Sequence, residues 1–151
     1  GDSYLDLVSH DIDPEYYLLF KKPFRVSMSN ADISGRYLVI RNTDEKGATI
    51  IDADGSEQAL DRDFIINNWG GRVSWVCPIS RKAAILFKGA GAPEVLEIQN
   101  TLSDIGYMVK KTGVYDQSTF QEIMKFQEDF GLQIDGIAGP KTRALLYQMA
   151  R

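Results

Sequence analysis

The sequence predicts an α+β chain, with a small antiparallel sheet first and an all-α set of three short helices after it. Two observations carry this prediction. Through residue 76 the apolar residues alternate with polar ones or gather in short β-rich runs, as half-buried strands require. Beyond residue 93 they recur at three- and four-residue spacing, the period of one helix face. Between the two regions lies Lys88-Gly89-Ala90-Gly91-Ala92-Pro93, where two glycines lower local order and the proline suits a first helical turn. The chain therefore divides into a sheet domain at 1–88, a linker at 89–92 and a helical domain at 93–151.

In the first region, Asp13-Pro14-Glu15 starts a helix, with Asp13 as N-cap and Pro14 at the first helical position, leading into Tyr16 to Phe20. Phe24, Val26 and Met28 alternate with polar residues. Tyr37 to Ile40, Ala48 to Ile51 and Val73 to Val76 are further strands. Asp44-Glu45-Lys46-Gly47 and Asp52-Ala53-Asp54-Gly55 are turns, and Asp61 caps a short helix through Phe64, Ile65 and Ile66.

The second region holds three helical stripes: Val95, Ile98, Leu102 and Ile105; then Phe120, Ile123, Met124, Phe126 and Phe130; then Leu145, Leu146 and Met149. Gly113-Val114-Tyr115-Asp116-Gln117-Ser118-Thr119 is echoed 23 residues later by Gly136-Ile137-Ala138-Gly139-Pro140-Lys141-Thr142. In each copy the first Gly permits a sharp turn, the fourth residue sits at an N-cap position, and the Thr falls in the first helical turn. Two turn-then-helix units account for the pattern without a ligand.

Composition narrows the function. With 44% hydrophobic residues in 151, the chain has enough apolar mass to bury a core. Seventeen Lys and Arg against 21 Asp and Glu leave a formal charge of −4 and no basic stripe, so nucleic acid is excluded as a general partner. The longest apolar runs, such as Tyr16 to Phe20 and Ala83 to Phe87, are far short of the ~20 residues that span a bilayer, and no signal-peptide pattern opens the sequence. No direct membrane contact is expected. One Cys and one His are too few for a zinc site, and no cofactor is called for. Asp52 and Asp54 lack the further ligand positions of a calcium loop, and turn chemistry is the stronger reading. Trp69 and Trp75 are read as packing residues before sugar contacts. Gln99 and Gln127 either bind peptide amides or fix loop carbonyls.

The second region carries a specific resemblance. Val95-Leu96-Glu97-Ile98-Gln99, Leu102, Gly106-Tyr107, Gly113-Val114-Tyr115 with Thr119, Phe126-Gln127, Gly131-Leu132, and Asp135-Gly136-Ile137-Ala138-Gly139 with Thr142 and Leu145 resemble, in order and spacing, the peptidoglycan-binding domain type 1 family. That resemblance implies a compact three-helix module with peptidoglycan as partner. Gly35-Arg36-Tyr37-Leu38-Val39-Ile40, Ala48 to Asp52, Leu60 to Phe64 and Trp69-Gly70-Gly71 to Pro78 are similar to the sheet portion of papain-like peptidases that cleave double-glycine leaders. In that family a His follows the Gly; here Arg36 stands in its place, and no Cys precedes this region.

Together the two parts resemble the periplasmic C-terminal region of the general secretion pathway A type of ATPase, linked to type II secretion. No Gly-x-x-x-x-Gly-Lys-Ser/Thr run is present, so any ATPase domain lies outside these residues. The resemblance implies a non-catalytic module, a periplasmic fragment of an inner-membrane protein, that self-associates and meets secretion-system envelope proteins. The competing readings are a murein hydrolase or cysteine peptidase fragment with a wall-targeting module, and an adaptor that no longer binds murein.

Candidate ligand contacts sit on the loops between the helices. Tyr107 and Tyr115 adjoin glycines and serve either binding or loop packing. Asp116 either binds or caps its own helix; Gln127 and Asp135 offer partners for stem amides and amines, and Arg143 a partner for a stem carboxylate. These six residues are expected to form one shallow groove.

A guanidinium at Arg36 cannot take a proton from a thiol. Incubation of the chain with leader peptides or muropeptides is expected to yield no cleavage by mass spectrometry, and turnover that disappears in Cys77→Ala would overturn that expectation.

Overall fold

The computed structural model describes residues 6–29, 37–78 and 85–151. Gly35 and Arg36, on which the departure from the peptidase pattern rests, lie outside the described residues. Two compact units are present, Leu7–Val76 and Cys77–Arg151.

The first unit is built on a six-stranded sheet. Its strands are β1 (Asp6–Asp11), β2 (Phe24–Met28), β3 (Tyr37–Asp44), β4 (Gly47–Ile51), β5 (Glu57–Asp61) and β6 (Trp69–Cys77), in the spatial order β1-β6-β2-β3-β4-β5. The pairs β2–β3, β2–β6, β3–β4 and β4–β5 are antiparallel. The central strand β2 alternates buried and half-buried residues, with Phe24, Val26 and Met28 inward, as its sequence predicts. Phe20, Phe24, Trp75 and Trp69 form an aromatic cluster with centroid separations of 4.8 to 6.4 Å. Both tryptophans are 2 to 3% exposed, so they are core residues and present no face to a sugar.

Strands β1 and β5 have no counterpart in the sequence reading. Both lie at sheet edges, and β5 is exposed along most of its length, so neither needs the apolar alternation that marks an inner strand. Asp13 caps a 3-10 helix at Pro14–Leu19, its carboxylate accepting from the Glu15 amide at 3.0 Å. Tyr17 in that helix is buried and donates its hydroxyl to the Asp44 carbonyl at 2.8 Å. Helix α1 (Arg62–Asn68) follows Asp61, but the Asp61 side chain makes no capping bond. Asp61 is thus the N-cap by backbone position alone, and the amide of the first helical residue, Arg62, donates to the Lys46 carbonyl at 2.8 Å. In the Asp52-to-Gly55 turn, the Asp54 carboxylate accepts from the Ser56 amide and hydroxyl at 2.9 and 2.6 Å. Asp52 accepts from Gln58 at 2.7 Å, so both carboxylates are engaged in turn geometry.

The second unit packs α2 (Pro93–Asp104), α3 (Gln117–Asp129) and α4 (Pro140–Met149). Val95, Ile98 and Leu102, Ile123, Phe126 and Phe130, and Leu145, Leu146 and Met149 are all buried, so each predicted stripe faces the core. Prolines open α2 and α4, and Asp116 and Gly139 are the N-caps of α3 and α4. Leu86 forms a β-bridge with Ala138. Just beyond it, Gly89 donates to the Tyr115 carbonyl and Tyr115 to the Ala90 carbonyl, each at 2.8 Å. The segment Leu86 to Ala90 is thus hydrogen-bonded to both repeated loops, and the glycine-rich stretch read as a linker begins within this bonding.

Gly71 in β6 has φ +90°, and a Cβ there would stand 2.2 Å from the Ile12 carbonyl oxygen, while the Ile12 amide donates to the Gly71 carbonyl at 2.9 Å. Gly71→Ala is therefore expected to cost about 2 kcal/mol or more in denaturant unfolding of the sheet unit, and an unchanged midpoint would show that the strand can move aside.

Candidate functional site

The two copies of the repeated motif fold into two loops with the same hydrogen-bond pattern, each organised by one glutamine of the preceding helix. Gln99 on α2 is fully buried. Its Nε2 donates to the Val114 carbonyl and the Thr119 hydroxyl, both at 2.9 Å, and to the Thr112 hydroxyl at 3.3 Å. Its Oε1 accepts from the Gly113 amide at 2.8 Å. Gln127 on α3, 1% exposed, repeats this one motif later. It donates to Asp135 Oδ1 at 2.9 Å, the Ile137 carbonyl at 3.0 Å and the Thr142 hydroxyl at 3.2 Å. It accepts from the amides of Asp135 and Gly136 at 3.1 and 2.9 Å. Gly113 and Gly136 make the turns at φ +74° and +69°, and at Gly136 a Cβ would collide with the Phe120 ring at 2.2 Å.

This geometry separates the six expected contact residues. Tyr115 is 0% exposed and donates its hydroxyl to the Gly136 carbonyl at 2.6 Å. Burial, with the charge of Asp135 added, pushes its phenol well above the ordinary tyrosine range. Tyr115 therefore joins the second loop to the first, which corrects its placement as a surface contact. Gln127 is corrected for the same reason: both ends of its carboxamide are used inside the fold. Asp116 is half-buried and caps α3, accepting from the Thr119 amide and hydroxyl at 2.9 Å each. The Thr119 amide bond holds its carboxyl below the usual carboxylate range.

Three further members keep surface as Asp116 does. Tyr107 is half-buried, its ring edge-on to Phe126 at 5.8 Å and its hydroxyl donating to Asp129 at 2.6 Å. Asp135 is exposed, although its Oδ1 already accepts from Gln127 and from the Ile137 amide. Arg143 lies elsewhere, in a groove of about 140 Å3 between α2 and α4 whose lining includes neither Tyr107 nor Asp135. The single groove of six residues is thus not assembled. Glu94, Glu97 and Tyr147 line the groove with Arg143 and were missed by sequence reasoning. Their signal was positional, since they occupy the polar borders of the α2 and α4 apolar stripes. Among the described residues no group of three or more His, Cys, Asp or Glu is placed to hold a metal ion, and no helix is long and apolar enough to cross a membrane.

Residues 91–146 match the family model described as "Putative peptidoglycan binding domain". The chain is similar to a spore cortex-lytic enzyme of Bacillus cereus, 35% identical over 68 residues that make up 44% of this chain and 26% of that protein. It is also similar to general secretion pathway protein A of Aeromonas hydrophila, 28% identical over 131 residues, covering 85% of this chain and 24% of that one. The resemblance seen in the sequence thus extends across most of the chain. A periplasmic domain of the EpsAB fusion protein of the Vibrio vulnificus type II secretion system has the same fold, with a TM-score of 0.54 and 17% identity over 99% of this chain and 66% of that one. The chain spans about a quarter of the length of the curated relatives it matches.

Replacing Gln127 by Leu keeps the volume close but strands the Gly136 amide, the Ile137 carbonyl and the Thr142 hydroxyl. A loss of about 2 to 4 kcal/mol in urea unfolding is expected, against under about 1 kcal/mol for Asp135→Ala at the exposed end of the same network. Equal, small effects of the two changes would show that water takes over the glutamine's partners.

Proposed function

We propose that this chain is a non-catalytic module that anchors a larger cell-envelope protein to peptidoglycan, and that the larger protein is a component of type II secretion assembly. The observation that carries the reading is the match of residues 91–146 to the peptidoglycan-binding family model. The similarity to general secretion pathway protein A supports the secretion context, because it reaches well beyond that module to 85% of the chain. On this reading the helical unit holds the wall, and the sheet unit at Leu7–Val76 is a peptidase relative that has lost its chemistry. The whole lies in the periplasm as part of an inner-membrane protein. Its further partners are copies of itself and other envelope proteins of the secretion channel, an arrangement in which multivalency makes modest single-site affinity sufficient.

The cortex-lytic relatives favour a hydrolase fragment as the second reading. Their similarity covers only 44% of the chain, which is what a shared wall-binding module without a shared catalytic half would give. Of the expected contacts, the proposal keeps Tyr107, Asp135 and Arg143, which reach the surface and cap no helix.

Co-sedimentation of the intact chain with purified sacculi tests the reading. The protein is expected in the pellet, with no soluble muropeptide released. Protein that stays in the supernatant would favour the adaptor reading, and release of fragments the hydrolase.

A further inference from the structure

The groove between α2 and α4 is lined by helix residues and by none of the repeated loops. Glu94, Glu97 and Ile98 on α2, and Arg143, Leu146 and Tyr147 on α4, follow the same i, i+3, i+4 spacing, so two matching helix faces meet across it. Ile98 and Leu146 are 6% and 2% exposed and form an apolar floor. The charged groups stand along its sides, with Glu94 and Arg143 half-buried and Glu97 exposed. Two carboxylates, one guanidinium and one phenol around a small apolar floor make a site that is mixed in charge and acidic by one unit.

We propose that this groove takes the zwitterionic end of a peptidoglycan stem peptide, an ammonium and a carboxylate carried on one carbon at the end of a short aliphatic chain. The inference rests on the murein-binding reading above and names the part of the polymer that is recognised. A carboxylate ligand is drawn to the charge of Arg143, and the ammonium beside it to Glu94 or Glu97. The methylenes of the ligand lie over Ile98 and Leu146. A neutral sugar would draw nothing from the charges. A polyanionic wall polymer would meet two carboxylates for each guanidinium. Of the components of murein, the free end of a diamino acid in the stem has both charges at the separation of a single amino-acid backbone.

Titration of the intact chain with a disaccharide-tripeptide muropeptide ending in diaminopimelate, followed by NMR, tests this directly. The same ligand with the carboxylate on the ammonium-bearing carbon amidated, and a third with that ammonium acetylated, serve as the comparison probes. Each modified ligand is expected to bind the unaltered protein about tenfold more weakly. Arg143→Ala is expected to lose about the same factor with the free ligand and to be indifferent to amidation, a coupling that a merely structural role of Arg143 would not produce. Glu94→Gln with Glu97→Gln is expected to be indifferent to acetylation in the same way. If a variant fails to fold, the two modified ligands on unaltered protein still decide the matter. Equal binding of all three ligands by a protein that pellets with sacculi would overturn this groove and leave the murein reading standing. Failure of the unaltered protein to pellet would remove both.

Discussion

A buried carboxamide within a helical stripe is the constraint on which the helical unit depends. Gln99 and Gln127 occupy core positions beside the apolar residues of the stripe, and each uses its donor and acceptor ends to hold the turn that follows its helix. A primary amide is suited to this, because one planar group presents two N–H donors and a carbonyl to partners on different sides. Once the turn is held, the Thr at its far end is fixed in the first turn of the next helix. Helix, turn and helix are then connected by one side chain. The cost of burying so polar a group is offset when its ends are used, which ties each loop to the glutamine that holds it.

That dependence explains which features were legible in the sequence. The helical stripes, the prolines at N1 and the caps at Asp116 and Gly139 are local, and each was readable from spacing alone. The repeat was visible as well, including its Gly, apolar residue and Thr. The organising glutamines were noticed but their direction was open, because Gln99 precedes its loop by 14 residues and Gln127 precedes its own by 9. Tyr115 was misplaced for a related reason. A tyrosine beside a glycine turn reads as exposed, and only the pairing of Gly89 and Ala90 with its backbone and the bond of its hydroxyl to Gly136 turn it inward. Those partners lie more than 20 residues away in sequence, beyond the reach of local pattern. In the sheet unit the inner strands announced themselves by alternation, whereas β1 and β5 did not, since an edge strand is held by backbone bonds and can be polar throughout.

The two loops also show why apparent binding groups in a repeat can be spoken for. Glycine turns with free-looking amides, an Asp and a Thr resemble a polar recognition surface when read in sequence. In the fold, the Gly113 and Gly136 amides, the Val114 and Ile137 carbonyls and both threonine hydroxyls are partnered within the loops. A ligand competing for them would have to break buried hydrogen bonds, each of which costs more to leave unmade than it contributes when formed. Recognition by the helical unit is therefore better served by side chains on the outer borders of the helices, where a change of partner costs only solvation.

Charge sharpens the same point. A chain of net charge −4 gains no long-range attraction toward an anionic polymer, so on the proposed reading its selectivity comes from local arrangement. Packing fixes such an arrangement wherever two helices present equivalent faces to each other. Val95, Ile98 and Leu102 on one helix and Leu145, Leu146 and Met149 on the other are buried, and they set the rotation of each helix. The residues bordering those stripes follow without further constraint. The apolar core thereby determines not only the fold but also which charges stand together beside it. On the proposed reading, substitution at a border position would change ligand chemistry without disturbing the core that placed it.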